Sequence, residues 1–189
     1  MTNPLLLDIP NCLDTPRLHI RCTQPGDGAA VHASIFESLA ALRAWPASLP
    51  WAMAEPSLAA SELFCRQGQI NWLRRADLPM LLLLRDTGEH VGNCGLHGLD
   101  WVVPKCEIGF WVRSRFAGQG LITEAVLAVT AFAFEQLGMR RVQALADAAN
   151  LASCRVCERA GYALEGTLRH ERAEPGGQLR DTRVYARLR

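Results

Sequence analysis

The sequence has no long apolar run, little net charge and a single lysine, Lys105. Its longest uninterrupted apolar run is far shorter than the roughly twenty residues that a membrane-spanning helix requires. No basic segment precedes the apolar residues 5–7, so the amino terminus is not typical of a secretory signal. Twenty Lys and Arg against 19 Asp and Glu leave a net charge of +1. Such a balance does not favour nucleic acid or a membrane surface as a partner, and we expect a soluble protein.

The cysteines do not form a recognisable disulfide framework. There are seven, an odd number, scattered among apolar neighbours, which is typical of free buried thiols in a reducing compartment. Cys154 and Cys157 form a CxxC pair, but the pair lies within a predicted helix and no second CxxC exists, so a redox or zinc site is not favoured. No other His, Cys or Asp cluster has the spacing of metal ligands. We expect a cytoplasmic protein without a bound metal.

The composition is that of one globular domain. Of the 189 residues, 49% are hydrophobic and 21% are charged, and the mean hydropathy is +0.03, which suits a chain with a sizeable core. The length fits a single domain over residues 1–189. We expect residues 1–14 to form a loose N-terminal leader.

Hydrophobic periodicity predicts seven strands and four helices. Alternating or wholly apolar runs predict the strands, at residues 17–22, 80–84, 90–99, 105–112, 141–146, 162–172 and 179–188. Apolar residues at helical spacing predict the helices, at about residues 31–42, 57–75, 120–137 and 150–160. The resulting order, βααβββαβαββ, predicts an α+β fold around a mixed sheet.

A glycine-containing segment, Arg-Phe-Ala-Gly-Gln-Gly at residues 115–120, joins a predicted strand to a long helix. Glycines allow a tight turn with free N–H groups, and the helix N-terminus adds partial positive charge, so the segment could bind phosphates. A turn that merely requires glycine is the alternative, and this segment alone does not decide between them. No Gly-Lys-Ser/Thr follows, and Thr123 replaces the third glycine of GxGxxG, which excludes a Walker loop and a dinucleotide fingerprint.

Glu107 is the most informative acidic residue. It lies with Gly109 and Trp111 on one face of an apolar strand. Burying a carboxylate there is energetically unfavourable unless the group is paired or has a function. It could form an ion pair with an arginine, or it could act as a general base. Trp45 and Trp51, in the proline-rich segment 45–56, likewise have two interpretations: they could line an acceptor pocket, or they could anchor a loop to the core.

The order of these segments resembles the GNAT superfamily of acetyl-CoA-dependent N-acetyltransferases. Arg115, Gly118 and Gly120 match its [Gln/Arg]-x-x-Gly-x-[Gly/Ala] signature. Further similar segments, in the family's order, are Thr-Pro-Arg-Leu at 15–18, Glu-Ile-Gly-Phe-Trp-Val at 107–112, Asn-Leu-Ala-Ser at 150–153 and Ala-Gly-Tyr at 160–162. The resemblance spans about residues 13–188. It is greatest to the branch that includes the ribosomal-protein N-terminal acetyltransferases.

The resemblance implies a mostly antiparallel mixed sheet of six to seven strands, splayed in the middle, with about four helices on its faces. It also implies direct transfer of an acetyl group from acetyl-CoA to a primary amine, without a metal. We expect the α-amino group of a protein or peptide as the acceptor, because it loses its proton more readily than lysine does. The alternatives are a small amine such as a polyamine, an aminoglycoside or an amino-acid analogue, or a non-catalytic acyl-CoA sensor. Homodimers occur in this branch, so we also expect a homodimer.

The resemblance further assigns roles to individual residues. Glu107 would be the general base, and Ser153 would protonate the leaving thiolate, because Cys157 replaces the tyrosine that often does so. The Trp45-to-Trp51 loop resembles the tryptophan- and proline-containing segment of this branch, and of the two interpretations given above we expect Trp45 and Trp51 to contact the acceptor. The residues expected to bind acetyl-CoA are Phe110, Trp111, Val112 and Arg113 along the pantetheine arm, Arg115, Phe116, Ala117, Gly118, Gln119 and Gly120 at the pyrophosphate, and Asn150 and Ser153 on the late helix.

Overall fold

Within residues 3–189, which the computed structural model describes, the chain forms eight strands, four α-helices and three short 3₁₀ helices. The strands are β1 (Cys12–Asp14), β2 (Leu18–Cys22), β3 (Leu78–Leu84), β4 (His90–Asp100), β5 (Lys105–Val112), β6 (Arg141–Asp147), β7 (Ala163–Ala173) and β8 (Leu179–Leu188). The helices are α1 (Gly28–Arg43), α2 (Leu58–Arg74), α3 (Leu121–Glu135) and α4 (Leu151–Arg159). The order of the predicted elements is confirmed, with one strand added at the beginning.

The added strand corrects the expectation of a loose leader over residues 1–14, of which residues 1–2 lie outside the described part. Strand β1 pairs antiparallel with β2, with Leu13 opposite Ile20. Three residues are too few for alternation to be detected in a sequence. Strand β2 pairs with β3 along one edge only, and its other edge would otherwise be unpaired. Because unpaired strand edges readily accept another strand, this edge decides the pairing of β1.

All eight strands form one sheet in the order β1-β2-β3-β4-β5-β6-β8-β7. Every neighbouring pair is antiparallel except β5 and β6, which are parallel. The expected mixed, mostly antiparallel sheet is therefore confirmed, with eight strands rather than six to seven.

The two faces of the sheet carry different cores. Leu81 of β3 packs against Val31 of α1 and Cys65 of α2 in a small cluster. On the other face, side chains of β4 such as Cys94 belong to a large cluster with Val126 of α3 and residues of α4. Because side chains alternate along a strand, the residues that flank Cys94 project toward α1 and α2, and these residues build the site.

Candidate active site

Strands β5 and β6 separate immediately after Glu107. Their pairing is confined to three positions, the last of which joins Glu107 to Gln143. From residue 108 onward β5 is paired only with β4, so its opposite edge faces a cleft. Gln143 Nε2 donates to Glu107 Oε2 at 3.3 Å, and Glu107 forms no ion pair with any described arginine or lysine. A carboxylate therefore stands at the apex of the splayed sheet.

The glycine segment ends at the N-terminus of α3 with free amides. Gly118 and Gly120 have φ values of 76° and 77°, in the left-handed region that favours glycine. Among the described residues, no atom accepts a hydrogen bond from the N–H groups of Gly118, Gln119 or Gly120. The N–H groups of Phe116 and Ala117 instead donate to carbonyl oxygens within a short 3₁₀ turn. Three consecutive exposed amides at a helix N-terminus provide the geometry of an anion site.

The arginines before this turn are paired with acidic side chains. Arg113 contacts Glu37 of α1 at 2.7 Å and Glu89 at 3.4 Å, and Arg115 pairs with the same two carboxylates. Burial acts to raise the pKa of Glu37, but the hydrogen bond and charge of Arg113, together with the charge of Arg115, lower it overall. A contact between Arg115 and a phosphate would therefore require an exchange of partners.

A polar clamp that sequence reasoning missed supports the same turn. Glu124, in the first turn of α3, accepts hydrogen bonds from the Thr15 hydroxyl at 2.6 Å and from Arg17 Nε at 2.6 Å. Arg17 also donates to the carbonyl oxygen of Gln119 at 2.9 Å. Burial acts to raise the pKa of Glu124, but these hydrogen bonds lower it overall. Thr15 and Arg17 lie in the Thr-Pro-Arg-Leu segment that resembles the family. The sequence therefore marked these residues, but it did not show that they would contact Glu124.

Helix α4 begins beside the cleft. Asn150 is its N-cap, and Asn150 Oδ1 accepts from the Ser153 N–H at 3.1 Å. The Ser153 hydroxyl is part of a half-buried residue and forms no hydrogen bond with the described residues. Cys157 is only 1% exposed, and burial raises the pKa of its thiol to about 12. Ser153 is therefore the more accessible of these two groups.

A cavity of about 570 Å³ lies between α1, α2 and strands β3 to β5. Its lining is mainly apolar and includes Trp51, whose ring centroid is 6.2 Å from that of Trp111. Trp45 lies in the same proline-rich segment but outside this lining. Of the two tryptophans expected to contact the acceptor, the structure therefore places only Trp51 at this cavity.

The floor of the cavity consists of three cross-strand pairs of β4 and β5. In order along the strands, they are Asn93 with Trp111, Gly95 with Gly109, and His97 with Glu107. The central glycine pair leaves open space, while polar groups stand at both ends. Asn93 and His97 were not identified from the sequence. Because the strand register shifts between His97 and Asp100, a count through the β4–β5 hairpin would have placed Gly98, not His97, opposite Glu107.

Asn93 continues into a buried polar chain. Its Oδ1 lies 3.0 Å from His90 Nε2, and His90 Nδ1 lies 2.8 Å from the Ser34 hydroxyl. Burial lowers the pKa of His90 to about 4, so the imidazole is neutral near pH 7. The His90 ring packs edge-on against Trp111 at 5.8 Å, which helps to fix the wall of the cavity.

Within residues 3–189, no helix is long and apolar enough to cross a membrane. The same residues contain no group of three or more His, Cys, Asp or Glu side chains arranged to hold a metal ion.

The family model described as "Acetyltransferase (GNAT) domain" matches residues 17–163. The chain belongs to this family. The family assignment made from the sequence is thereby confirmed. The matched range includes the cavity floor, the glycine segment and the beginning of α4.

Individual relatives are consistent with this membership. The Bacillus subtilis (strain 168) protein named "Putative ribosomal N-acetyltransferase YdaF" is 42% identical over 102 residues, which cover 52% of this chain and 55% of that protein. The match to a second protein of that organism, "Uncharacterized N-acetyltransferase YoaA", is 32% identical and covers 54% of this chain and 57% of that protein. The chain thus matches little more than half the length of these curated relatives.

Solved structures share the fold over nearly the whole chain. The ribosomal L7/L12 α-N-protein acetyltransferase RimL, in complex with coenzyme A, superposes with a TM-score of 0.84 at 22% identity, covering 95% of this chain and 97% of that one. A structure described as "Probable acetyltransferase" has a TM-score of 0.85 at 27% identity and covers 94% and 97% of the two chains.

Proposed function

We propose that the protein is an acetyl-CoA-dependent N-acetyltransferase that transfers the acetyl group directly to a primary amine, with the α-amino group of a protein or peptide as the first candidate acceptor. One observation carries this proposal: Glu107 is the last residue of β5 paired with β6, and the free amides of the glycine segment follow the unpaired end of the same strand. The name of YdaF and the coenzyme A complex of RimL support the same chemistry.

Acetyl-CoA would bind along the opened edge of β5. The pyrophosphate would accept hydrogen bonds from the Gly118, Gln119 and Gly120 amides. The pantetheine arm would then follow the backbone from Phe110 to Arg113, where the departure of β6 leaves one strand edge unpaired, with the Asn150 side chain on the opposite side. This placement would bring the thioester to the apex of the splay.

The catalytic roles follow from the same placement. Glu107 would accept a proton from the acceptor ammonium, after which the neutral nitrogen attacks the thioester carbonyl. The Ser153 hydroxyl would donate a proton to the leaving thiolate. Holding amine and thioester in one cleft supplies the proximity that direct transfer requires.

The cavity supports a peptide acceptor better than a polycation. Among the described residues that line it, Glu55 and Glu107 are the only acidic ones, whereas a polyamine or aminoglycoside would require several carboxylates. An N-terminal residue brings one amino group and an apolar or small side chain, which suits Trp51 and the open floor. All seven cysteines are free, which supports a cytoplasmic location; the homodimer rests on the resemblance alone.

The test follows thiol release from acetyl-CoA with a panel of N-terminal peptides and small amines. We expect turnover with peptides, and a fall in kcat of about 100-fold or more in Glu107→Gln, since a general base contributes roughly 10²–10⁴. Acetyl-CoA affinity, measured by calorimetry, should be unchanged in this variant.

Glu135→Gln is the matched control, because Glu135 is an exposed glutamate in the last turn of α3. If a small amine is turned over faster than every peptide, the small amine replaces the peptide as the proposed acceptor. Binding of acetyl-CoA without turnover of any amine would support the sensor instead.

A further inference from the structure

The imidazole of His97, on β4, lies over the floor of the cavity, beside Glu107 on the neighbouring strand β5. The two residues are register partners, so their side chains project from the same face. His97 Nε2 lies 3.3 Å from the position that a Cβ on Gly109 would occupy and 3.6 Å from the equivalent position on Gly95. Because both residues are glycines, the Nε2 edge of the ring has room above the floor, where it faces the acceptor space.

Asp77 stands at the opposite edge of this ring. Its Oδ1 lies 3.8 Å from His97 Nδ1 and accepts the Gly98 N–H at 3.1 Å, which holds the carboxylate beside β4. At 3.8 Å this separation is longer than a hydrogen bond, so Asp77 acts on the ring through its charge, which favours a proton on the nearer nitrogen, Nδ1. Nε2 then keeps its lone pair and is available to accept a proton.

Acetyl transfer removes two protons from the acceptor nitrogen. The ammonium loses one before its lone pair attacks the carbonyl carbon, and the nitrogen loses a second as the C–N bond forms and the C–S bond breaks. The leaving thiolate takes up one proton, and the other passes to solvent. A single carboxylate accepts one proton at a time, so a second acceptor beside it allows both losses in one turnover.

A smaller recess gives these two residues a second opening. It has a volume of about 200 Å³ and is lined by His97, Gly98, Lys105, Cys106, Glu107 and Gln143. A space of this volume has room for several water molecules. Protons accepted by His97 or Glu107 can leave through this recess while substrates fill the main cavity.

We propose that His97, oriented by Asp77, is a second proton acceptor of this active site and takes a proton from the acceptor nitrogen alongside Glu107. The role rests on the acetyl transfer proposed above. It extends the catalytic machinery from β5 to β4 and explains why a histidine, an aspartate and two glycines converge on one end of the cavity.

The experiment measures kcat and acetyl-CoA affinity for His97→Ala, His97→Asn and the wild type, with and without added imidazole. We expect kcat to fall about tenfold or more in both variants while acetyl-CoA affinity stays within twofold. Imidazole from solution can enter the space vacated in His97→Ala, so it should restore part of the rate in that variant and none in Glu107→Gln. Asp77→Asn should retain the contact to Gly98 and lose part of kcat.

His19→Ala is the matched control, because His19 of β2 also pairs with an aspartate, Asp14 of β1, at 2.7 Å and lines neither the cavity nor the recess. A His97→Ala variant that turns over within twofold of the wild type would overturn the role of His97 and leave the proposed function intact. A loss of rate that imidazole does not restore, together with weakened acetyl-CoA binding in His97→Asn, would show a structural role and also overturn it. Absence of turnover in the wild type with every acceptor would overturn the proposed function and this role together.

Discussion

The buried side chain of His90 illustrates how single polar residues support the cavity. It is 3% exposed, and its two ring nitrogens lie within hydrogen-bond distance of Ser34 and Asn93. A neutral imidazole has one donor and one acceptor, which fits two such neighbours. Protonation would require a buried charge between them, and this is why burial lowers the pKa to about 4.

This lowered pKa predicts a loss of stability in mild acid. The unfolded chain binds a proton at His90 near the ordinary value of 6.5, whereas the folded chain does so only near 4. The free energy of unfolding should therefore decrease as the pH falls from about 6.5 to about 4, by up to roughly 3 kcal/mol.

Urea unfolding at several pH values tests this, with His90→Gln compared with the wild type. The variant should be less stable at pH 7 and should lose less of its stability on acidification. His19→Gln, at a histidine that is only partly buried, should behave like the wild type. An identical pH dependence in His90→Gln and the wild type would contradict the assignment.

Helix α4 is the shortest of the four α-helices, and polar contacts hold its beginning. It has nine residues, which is too short for an isolated helix to be stable. Asp147, at the end of β6, accepts the Ala149 N–H at 2.9 Å and pairs with Arg180 at 2.8 Å. Burial acts to raise the pKa of Asp147, but the hydrogen bonds from Arg180 and Ala149 lower it overall. These contacts and the Asn150 cap together orient Ser153.

Two substitutions at Asn150 should separate its capping role from the proposed contact with acetyl-CoA. Asn150→Ala removes the cap and should cost about 1 kcal/mol of stability. Asn150→Asp retains a capping oxygen at a helix N-terminus but has no amide donor. We expect Asn150→Asp to be as stable as the wild type in thermal melts and to have a higher KM for acetyl-CoA. An unchanged KM in Asn150→Asp would contradict the contact.

For the molecule as a whole, binding at the glycine segment should be coupled to stability. A ligand at 100 times its Kd stabilises the folded state by about 2.7 kcal/mol, which corresponds to a rise in Tm of roughly 5–10 °C for a chain of this size. Coenzyme A should produce this shift in the wild type. In Gly118→Trp the side chain would occupy the space before the free amides, so the shift should be lost.

Gly177→Trp provides the comparison, because Gly177 also has a left-handed φ, 84°, and no atom within 4 Å of an added Cβ. Both variants should therefore carry a similar backbone penalty of about 1–2 kcal/mol. Only Gly118→Trp should lose the response to coenzyme A, and an equal response in the two variants would contradict the location of the phosphate site.

The sequence by itself determined the order of the strands and helices β2 to β8 and α1 to α4, because periodicity and capping residues act between neighbours along the chain. It also determined the family, through short segments such as residues 115–120. Only the tertiary structure decided the pairing of β1, the Arg115 ion pairs, the exclusion of Trp45 from the cavity and the position of His97 opposite Glu107. These features depend on strand register and on contacts between residues far apart in sequence, and local patterns do not encode such distances.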